Sequence, residues 1–431
     1  MAAATRPGGA TPIVHLISSD YIKDFLMKED YFKRKLPVAT FPLNAGMIFE
    51  HGPDAMQKRS LLQSVMKYDD LKTFTPLILK MIYEFFHEFI MAKGVNNSEY
   101  ITIDLNDIYP VLIKRLTRML LFGVYDLKND SIEALIQTDS EKTVNMAFSV
   151  IKNPVFNIAP SLFYKFPFLL SSMVEYKKKE VEQRARIAEY LKAREGDDPK
   201  GNSVMEKILA HNKQCVKTGN MADYMDAESV FGSMNLISFA SIDTTQQLTK
   251  SSICILAESP EVRKALQATA DRIYDSEGMT TSEKVESDII LGQYFKETIR
   301  LCYPAPGLFA RIATKDVTIK DVSIKKGHGI NTQFSSLTMN EEIFNKPNDF
   351  QLDRFSSENE KTHPKYQMIP FGVGKRLCIG RHFGELTTKL FITTFCKMFD
   401  FKKPDDADYH EAVFFTKSTV KPFVDVKLRA K

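Results

Sequence analysis

Read for the spacing of its apolar residues, the chain is a succession of amphipathic helices with short alternating runs between some of them. Over residues 15–35 apolar and charged residues alternate at helical spacing, with Tyr21, Phe25 and Leu26 on one side. Residues 37–49 are broken by Pro42 and Gly46 and read as a loop. Gly52-Pro53-Asp54 opens a helix with Leu61, Leu62 and Val65 on its inner face and Lys58 and Arg59 at its edge. Residues 71–91 and 105–122 give two more long helices, the second with Lys114, Arg115 and Arg118 as its polar face. Residues 176–194 form a strongly charged helix that reads as solvated, followed by a polar connection over 195–203.

Two stretches depart from this rhythm. In residues 151–170, Phe156, Ile158, Phe163, Phe166, Phe168 and Leu169 crowd between Pro154, Pro160 and Pro167. That is either a loop packed on the core or a lid over an apolar pocket that touches a membrane surface, and both readings stay open. Residues 226–257 form the longest helical pattern, with no charge between Glu228 and Asp243, so this helix is expected to cross the interior. In its middle stand Phe239, Ala240, Ser241, Asp243 and Thr244. A buried acid is costly unless it has partners or a task. Small side chains at Ala240 and Ser241 leave space, and Thr244 can bond backward to the Ala240 carbonyl.

Further on, Ser259-Pro260 starts a helix, and Glu297 and Arg300 share one helix face at i, i+3. Val317-Thr318-Ile319 and Val322-Ser323-Ile324 alternate as a small antiparallel sheet. The fold class is therefore mainly α with minor β, with residues 1–19 as a flexible segment and residues 20–431 as the functional domain.

Composition narrows the chemistry. Hydrophobic residues at 44% and charged residues at 26% are a globular balance. A net charge of +4 over 431 residues gives no reason to expect nucleic acid as a partner. Five scattered cysteines suggest no disulfide framework and point to a reducing, intracellular setting. No CxxC or paired histidines offer a zinc site. No apolar run approaches the roughly 20 residues of a transmembrane helix, and the first residues lack the apolar core of a signal peptide.

One loop concentrates the remaining chemistry: Phe371-Gly372-Val373-Gly374-Lys375-Arg376-Leu377-Cys378-Ile379-Gly380. Its glycines permit left-handed turns and close approach of a flat partner. Nearby cations and a following helix N-terminus favour a thiolate. The pattern Phe-x-x-Gly-x-Arg-x-Cys-x-Gly resembles the haem-binding loop of the cytochrome P450 family. Asp243-Thr244 in the long helix is similar to that family's oxygen-activating motif, with Ser241 where a glycine is usual. Glu297-x-x-Arg300 with Arg354 resembles its buried Glu-Arg-Arg lock.

The resemblance implies one mainly helical domain, with haem b (iron protoporphyrin IX) between the long helix and the cysteine loop. It assigns Cys378 as iron ligand, Phe371, Gly374, Arg376, Gly380 and Ala240 as cofactor contacts, and Arg59 and Arg311 as propionate partners. Ala55 stands where the family usually has the Trp that helps Arg59. Asp243 relays protons and Thr244 steadies dioxygen. Phe239, Leu308 and Phe415 line a pocket for an apolar small molecule. The implied activity is insertion of one atom of O2, with electrons from NAD(P)H through a reductase or ferredoxin docking near Lys375 and Arg381. Endoplasmic reticulum association follows from the same resemblance. Family members carry a helix and paired strands before the stretch at Tyr21, so the first sheet is expected to be reduced or the product truncated. A haem-thiolate isomerase or dehydratase, or a haem-binding protein without turnover, remain as alternatives.

Overall fold

The structure, a computed structural model, describes residues 2–4, 12–34, 53–123, 131–152, 163, 165–198, 200–305, 307, 311–333, 335–363, 366–413 and 417–430. In chain order the strands are β1 (Ala2–Ala4), β2 (Ile13–Leu16), β3 (Phe32–Arg34), β4 (Ile101–Asp104), β5 (Arg311–Ala313), β6 (Val317–Ile319), β7 (Val322–Ile324) and β8 (Gly329–Thr332). Four more follow: β9 (Phe399–Lys402), β10 (Asp408–Val413), β11 (Lys417–Lys421) and β12 (Phe423–Leu428). The helices begin with α1 (Ser19–Met27), α2 (Pro53–Val65), α3 (Tyr68–Lys72), α4 (Thr75–Lys93), α5 (Leu105–Phe122), α6 (Ile132–Lys152) and α7 (Ser171–Ala193). They continue as α8 (Val204–Thr218), α9 (Ala227–Glu258), α10 (Pro260–Ile273), α11 (Ser282–Ser287), α12 (Ile289–Leu301), α13 (Ser335–Thr338) and α14 (Arg381–Met398). The fold is mainly helical with small sheets.

These elements form two compact units interleaved along the sequence, one of Met1–Phe32, Tyr68–Ile113 and Asp243–Lys431, the other of Lys33–Lys67 and Lys114–Ile242. The first unit holds the sheets. One has the strand order β1-β2-β8-β5-β3, another β4-β12-β9, and β6–β7 and β10–β11 are two-stranded. Its helical core is aromatic: Phe86 of α4 packs 5.0 Å from Phe391 of α14, and Tyr109 lies 4.6 Å from the same ring. The second unit is held by α6, α7 and the first half of α9. There Ser140 donates to Asn235 at 2.7 Å and Gln183 donates to Asn235 at 2.9 Å, all three buried.

Local chemistry explains several boundaries. Ser203 accepts from the Glu206 N–H, the Ser-x-x-Glu capping arrangement, and Gly219 ends α8 at φ +71°. Asp288 caps α12 by accepting from the Leu291 N–H at 2.9 Å.

The structure differs from the sequence reading in four places. The stretch read as a flexible residue 1–19 segment contains β2, which pairs in parallel with β8 and buries Val14 and Leu16. This stretch supplies β1 and β2 to a five-stranded sheet. The helix expected over 71–91 is two helices, broken at Thr73 and Phe74 because Pro76 belongs in a first turn. The helix read as solvated, α7, buries Tyr176, Glu180, Gln183 and Tyr190. Glu180 meets Lys177 at 2.8 Å and Arg184 at 2.9 Å, which offsets the cost of its burial. Finally Arg118 of α5, read as surface, bonds the buried Gln137.

Candidate active site

The cysteine loop is shaped by two glycines with φ of about +70°, Gly372 and Gly374, a conformation that side chains resist. The Gly372 N–H reaches Ile369 O at 2.8 Å, the Leu377 N–H reaches Gly374 O at 3.1 Å, and the Cys378 N–H reaches Phe371 O at 2.8 Å. Phe371 and Val373 pack against the hydrophobic cluster that includes Leu248, Phe295 and Ile299, so the loop is anchored from behind. Two residues after Cys378, Gly380 caps α14. The orphan N–H groups of that helix's first turn therefore lie close along the chain to the sulfur.

Cys378 is exposed, whereas Cys215, Cys254 and Cys396 are buried and Cys302 is half-buried. Burial pushes the Cys254 thiol well up, and pushes Cys396 up to about 12. Burial and the Glu411 charge raise Cys302; burial and Asp223 raise Cys215. A thiolate ligand is thus least costly at Cys378 on the ground of exposure. Gly374 and Gly380 flank it in sequence, and a Cβ added at either would meet no atom of the described residues within 4 Å beyond its own chain neighbours. A soft sulfur donor between two such open glycine faces fits a flat iron cofactor bound through one thiolate. Among the described residues no group of three His, Cys, Asp or Glu side chains could hold a bare metal ion.

Helix α9 lies against α14 within the same unit. Thr249 Oγ1 is 3.4 Å from Thr388 Oγ1, and a Cβ at Gly384 would come 3.9 Å from Thr245 Oγ1. Asp243, expected to be buried, is half-buried. Its Oδ1 accepts from Gln246 Nε2 at 3.2 Å and lies 3.5 Å from Gln247 Nε2. Thr244 is also half-buried. In the second unit, Phe239 is buried and Ala240 half-buried. Ser241, where the family pattern has glycine, donates to Ile237 O at 2.6 Å and meets Thr117 Oγ1 at 3.0 Å. Its hydroxyl is thereby turned onto its own helix and α5.

Glu297, Arg300 and Arg354 are brought together. Arg300 donates to both Glu297 oxygens at 2.8 Å, and Arg354 Nε donates to Glu297 Oε1 at 2.9 Å. The remaining guanidinium donors go to backbone: Arg300 to Thr338 O and Pro347 O, Arg354 to Asn345 O, Lys346 O and Asp349 O. The Phe344 ring lies 5.2 Å from the Arg300 guanidinium. One carboxylate and two forks thus pin the segment between α13 and Phe355.

Arg311, on β5, is buried, and Arg376 is half-buried. Arg59, on α2 of the second unit, is buried too, although its neighbour Lys58 is not. Leu308 and Phe415 lie outside the described residues. Gly307 approaches β8 so closely that a Cβ there would come 1.9 Å from Thr332 O. The sequence reading does not single out Gln247, Lys250 or Asn106, which the structure joins by Lys250 Nζ to Asn106 Oδ1 and by Gln247 Nε2 towards Asp243. The signal was present as an i, i+4, i+7 polar stripe with Asp243 on an otherwise apolar helix.

Comparison with known proteins places these features in context. The family model "Cytochrome P450" matches residues 6–422. Among curated proteins, Cytochrome P450 3A12 of Canis lupus familiaris is 24% identical over 404 residues, 91% of this chain and 78% of that one. Cytochrome P450 3A11 of Mus musculus is 25% identical over 407 residues, with the same coverage. Among solved structures, the cytochrome P450DA heme domain superposes with a TM-score of 0.78 at 16% identity, covering 98% of this chain and 88% of that chain.

Proposed function

Because the chain belongs to the cytochrome P450 family, we propose that it is a haem-thiolate monooxygenase that inserts one oxygen atom of O2 into an apolar organic substrate. The observation that carries this reading is the exposed thiol of Cys378 on a loop framed by open glycine faces. Haem b held by that thiolate would supply the oxygen chemistry, with the sulfur as an electron-donating ligand. Phe371, Gly374, Arg376 and Gly380 would hold the cofactor around the ligand. Arg311 and Arg59 are proposed to pair its propionates; guanidinium forks match carboxylates and keep their charge when buried.

The chain's own part in the reaction is then to place protons and exclude water. Asp243, half-buried and bonded by two glutamine amides, has a carboxylate that can take a proton from one side and give it up on the other. Thr244, next to it, offers a hydroxyl that donates where charge develops. Phe239 is proposed as a pocket wall, its burial supporting an apolar substrate. Electrons from NAD(P)H would arrive through a reductase or ferredoxin at the face carrying Lys375 and Arg381, both exposed. No helix of the described residues is long and apolar enough to cross a membrane. The exposed side chains of Phe166, Phe168 and Leu169 support a peripheral membrane contact, including at the endoplasmic reticulum surface. Phe166→Ser with Phe168→Ser is expected to release the protein from liposomes in a sedimentation assay.

The decisive experiment is spectroscopic. Cys378→Ala is expected to abolish the strongly red-shifted Soret band of the reduced carbon monoxide complex, and persistence of the band would remove Cys378 as ligand. Product formation that requires NADPH and a reductase separates a monooxygenase from a hydroperoxide isomerase or dehydratase.

A further inference from the structure

Helix α9 carries a polar stripe that reaches beyond the acid–threonine pair. Asp243, Gln247 and Lys250 recur at spacings of four and three residues, so they share one helix face. Gln247 and Lys250 are 7% and 3% exposed. Lys250 Nζ donates to Asn106 Oδ1 at 2.7 Å. Asn106 lies in the first turn of α5, is itself exposed, and has its N–H bound to Asp104 Oδ1 at 2.8 Å. The lysine stem therefore runs inside the protein from α9 towards a surface asparagine.

Gln247 supplies the second observation. Its Nε2 points at Asp243 Oδ1, 3.5 Å away, while its Oε1 is buried without a hydrogen-bond partner among the described residues. A buried acceptor without a donor costs about 1–3 kcal/mol, so such an atom calls for a donor within reach. Lys250, one turn on and on the same face, carries three rotatable donors on a flexible stem. A lysine that merely snorkelled to water would need neither a buried amide beside it nor an amide partner at its tip.

We propose that Lys250 is a positioning residue for proton delivery: its ammonium, held by Asn106 in this structure, exchanges onto the unpartnered Gln247 Oε1, aims Gln247 Nε2 at Asp243 and favours the carboxylate that accepts the next proton. This rests on the reading of Asp243 as the proton-relaying acid. Burial pulls the Lys250 ammonium below its ordinary value, while the charges of Asp243 and Cys254 on its own helix and of Asp104 on β4 act the other way. Asp243 and Lys250 thus feel each other's charge, and the influence is reciprocal.

The test uses the haem-loaded protein and two readouts. In the first, the Lys250 Nζ signal, assigned by its loss in Lys250→Met, is followed by 15N NMR against pH. In Asp243→Asn it is expected to titrate at lower pH than in the parent; an unchanged titration overturns the coupling and with it the proposal. In the second, Lys250→Met is expected to lose about tenfold in coupled turnover, the effect of about one pK unit, with the missing electrons appearing as hydrogen peroxide and KM unchanged. Lys250→Arg, which keeps the charge, is expected to restore coupling and also serves where the methionine variant fails to fold. If Asp243→Asn leaves coupling intact, the reading of Asp243 itself falls. If Asp243→Asn uncouples but Lys250→Met behaves as the parent, only the role of Lys250 falls.

Discussion

The cluster of Glu297, Arg300 and Arg354 and the stripe of Asp243, Gln247 and Lys250 belong to the same compact unit, yet one is closed and the other open. In the cluster each guanidinium is spread over the Glu297 carboxylate and several backbone carbonyls, and all three side chains are buried. In the stripe an acid is half exposed, an amide oxygen has no partner, and a lysine leads outward. A saturated network rigidifies, because any departure strands a charge in low dielectric. An unsaturated one can exchange partners at small cost, which is what moving a proton requires. The contrast is one of saturation: the three side chains of the cluster satisfy one another and nearby carbonyls, whereas Gln247 Oε1 in the stripe has no hydrogen-bond partner among the described residues.

Four measurements test that distinction, in order of expected size. Glu297→Ala breaks the closed network and is expected to lose roughly 3–5 kcal/mol in denaturant unfolding, with little haem retained, because two guanidinium groups are left buried and unpaired. Full stability in that variant would erase the contrast. Thr244→Ala acts on the open side. It is expected to keep haem and substrate spectra and stability while coupled turnover drops by about 10²–10⁴-fold into hydrogen peroxide.

The third measurement probes the border of the lock by pH. His363 packs its ring 4.9 Å from Phe344, and burial first, then the Arg354 charge, hold its imidazole below the ordinary value of 6.5. The unfolded chain therefore takes up the proton more readily. The stability this neutral ring contributes is fully present above about pH 6.5 and is lost as pH falls towards its lower folded value. His363→Phe is expected to flatten that part of the acid limb in melting curves. The smallest effect belongs to Lys296, adjacent to Glu297 but on the other face of α12, whose pair with Glu360 is 43% and 48% exposed. Lys296→Ala is expected to cost no more than about 1 kcal/mol, less in high salt.

What could be read from the sequence follows contact distance along the chain. The cysteine loop is a ten-residue pattern, and its turns close among its own residues, so it was legible without the fold. Glu297 and Arg300 were legible for the same reason, being one helical turn apart. Arg354 is 57 residues from its carboxylate and was placed only through the family resemblance. The partner of Lys250 lies 144 residues away on another helix, and no local spacing announces it. The burial of α7 was misjudged because its charge density suggested solvent, while Glu180 had Lys177 and Arg184 beside it on its own helix. Strand length does not explain which strands are legible: β6 and β7 have three residues each and are read from their alternation, whereas the longer β12 is not.

The sheet β4-β12-β9 also carries a consequence for how the molecule is made. Its middle strand, β12, holds β4 on one side and β9 on the other. Thr102 and its partner Asp425 are 323 positions apart. At about 5–20 residues per second, a ribosome that has finished β4 takes on the order of 15–60 s to supply the strand that covers it. Through that interval β4, whose sheet partner among the described strands is β12, keeps unpaired backbone N–H and C=O groups that can pair with another nascent chain. Growth at lower temperature or slower initiation, which spaces nascent chains apart, should therefore improve the soluble yield.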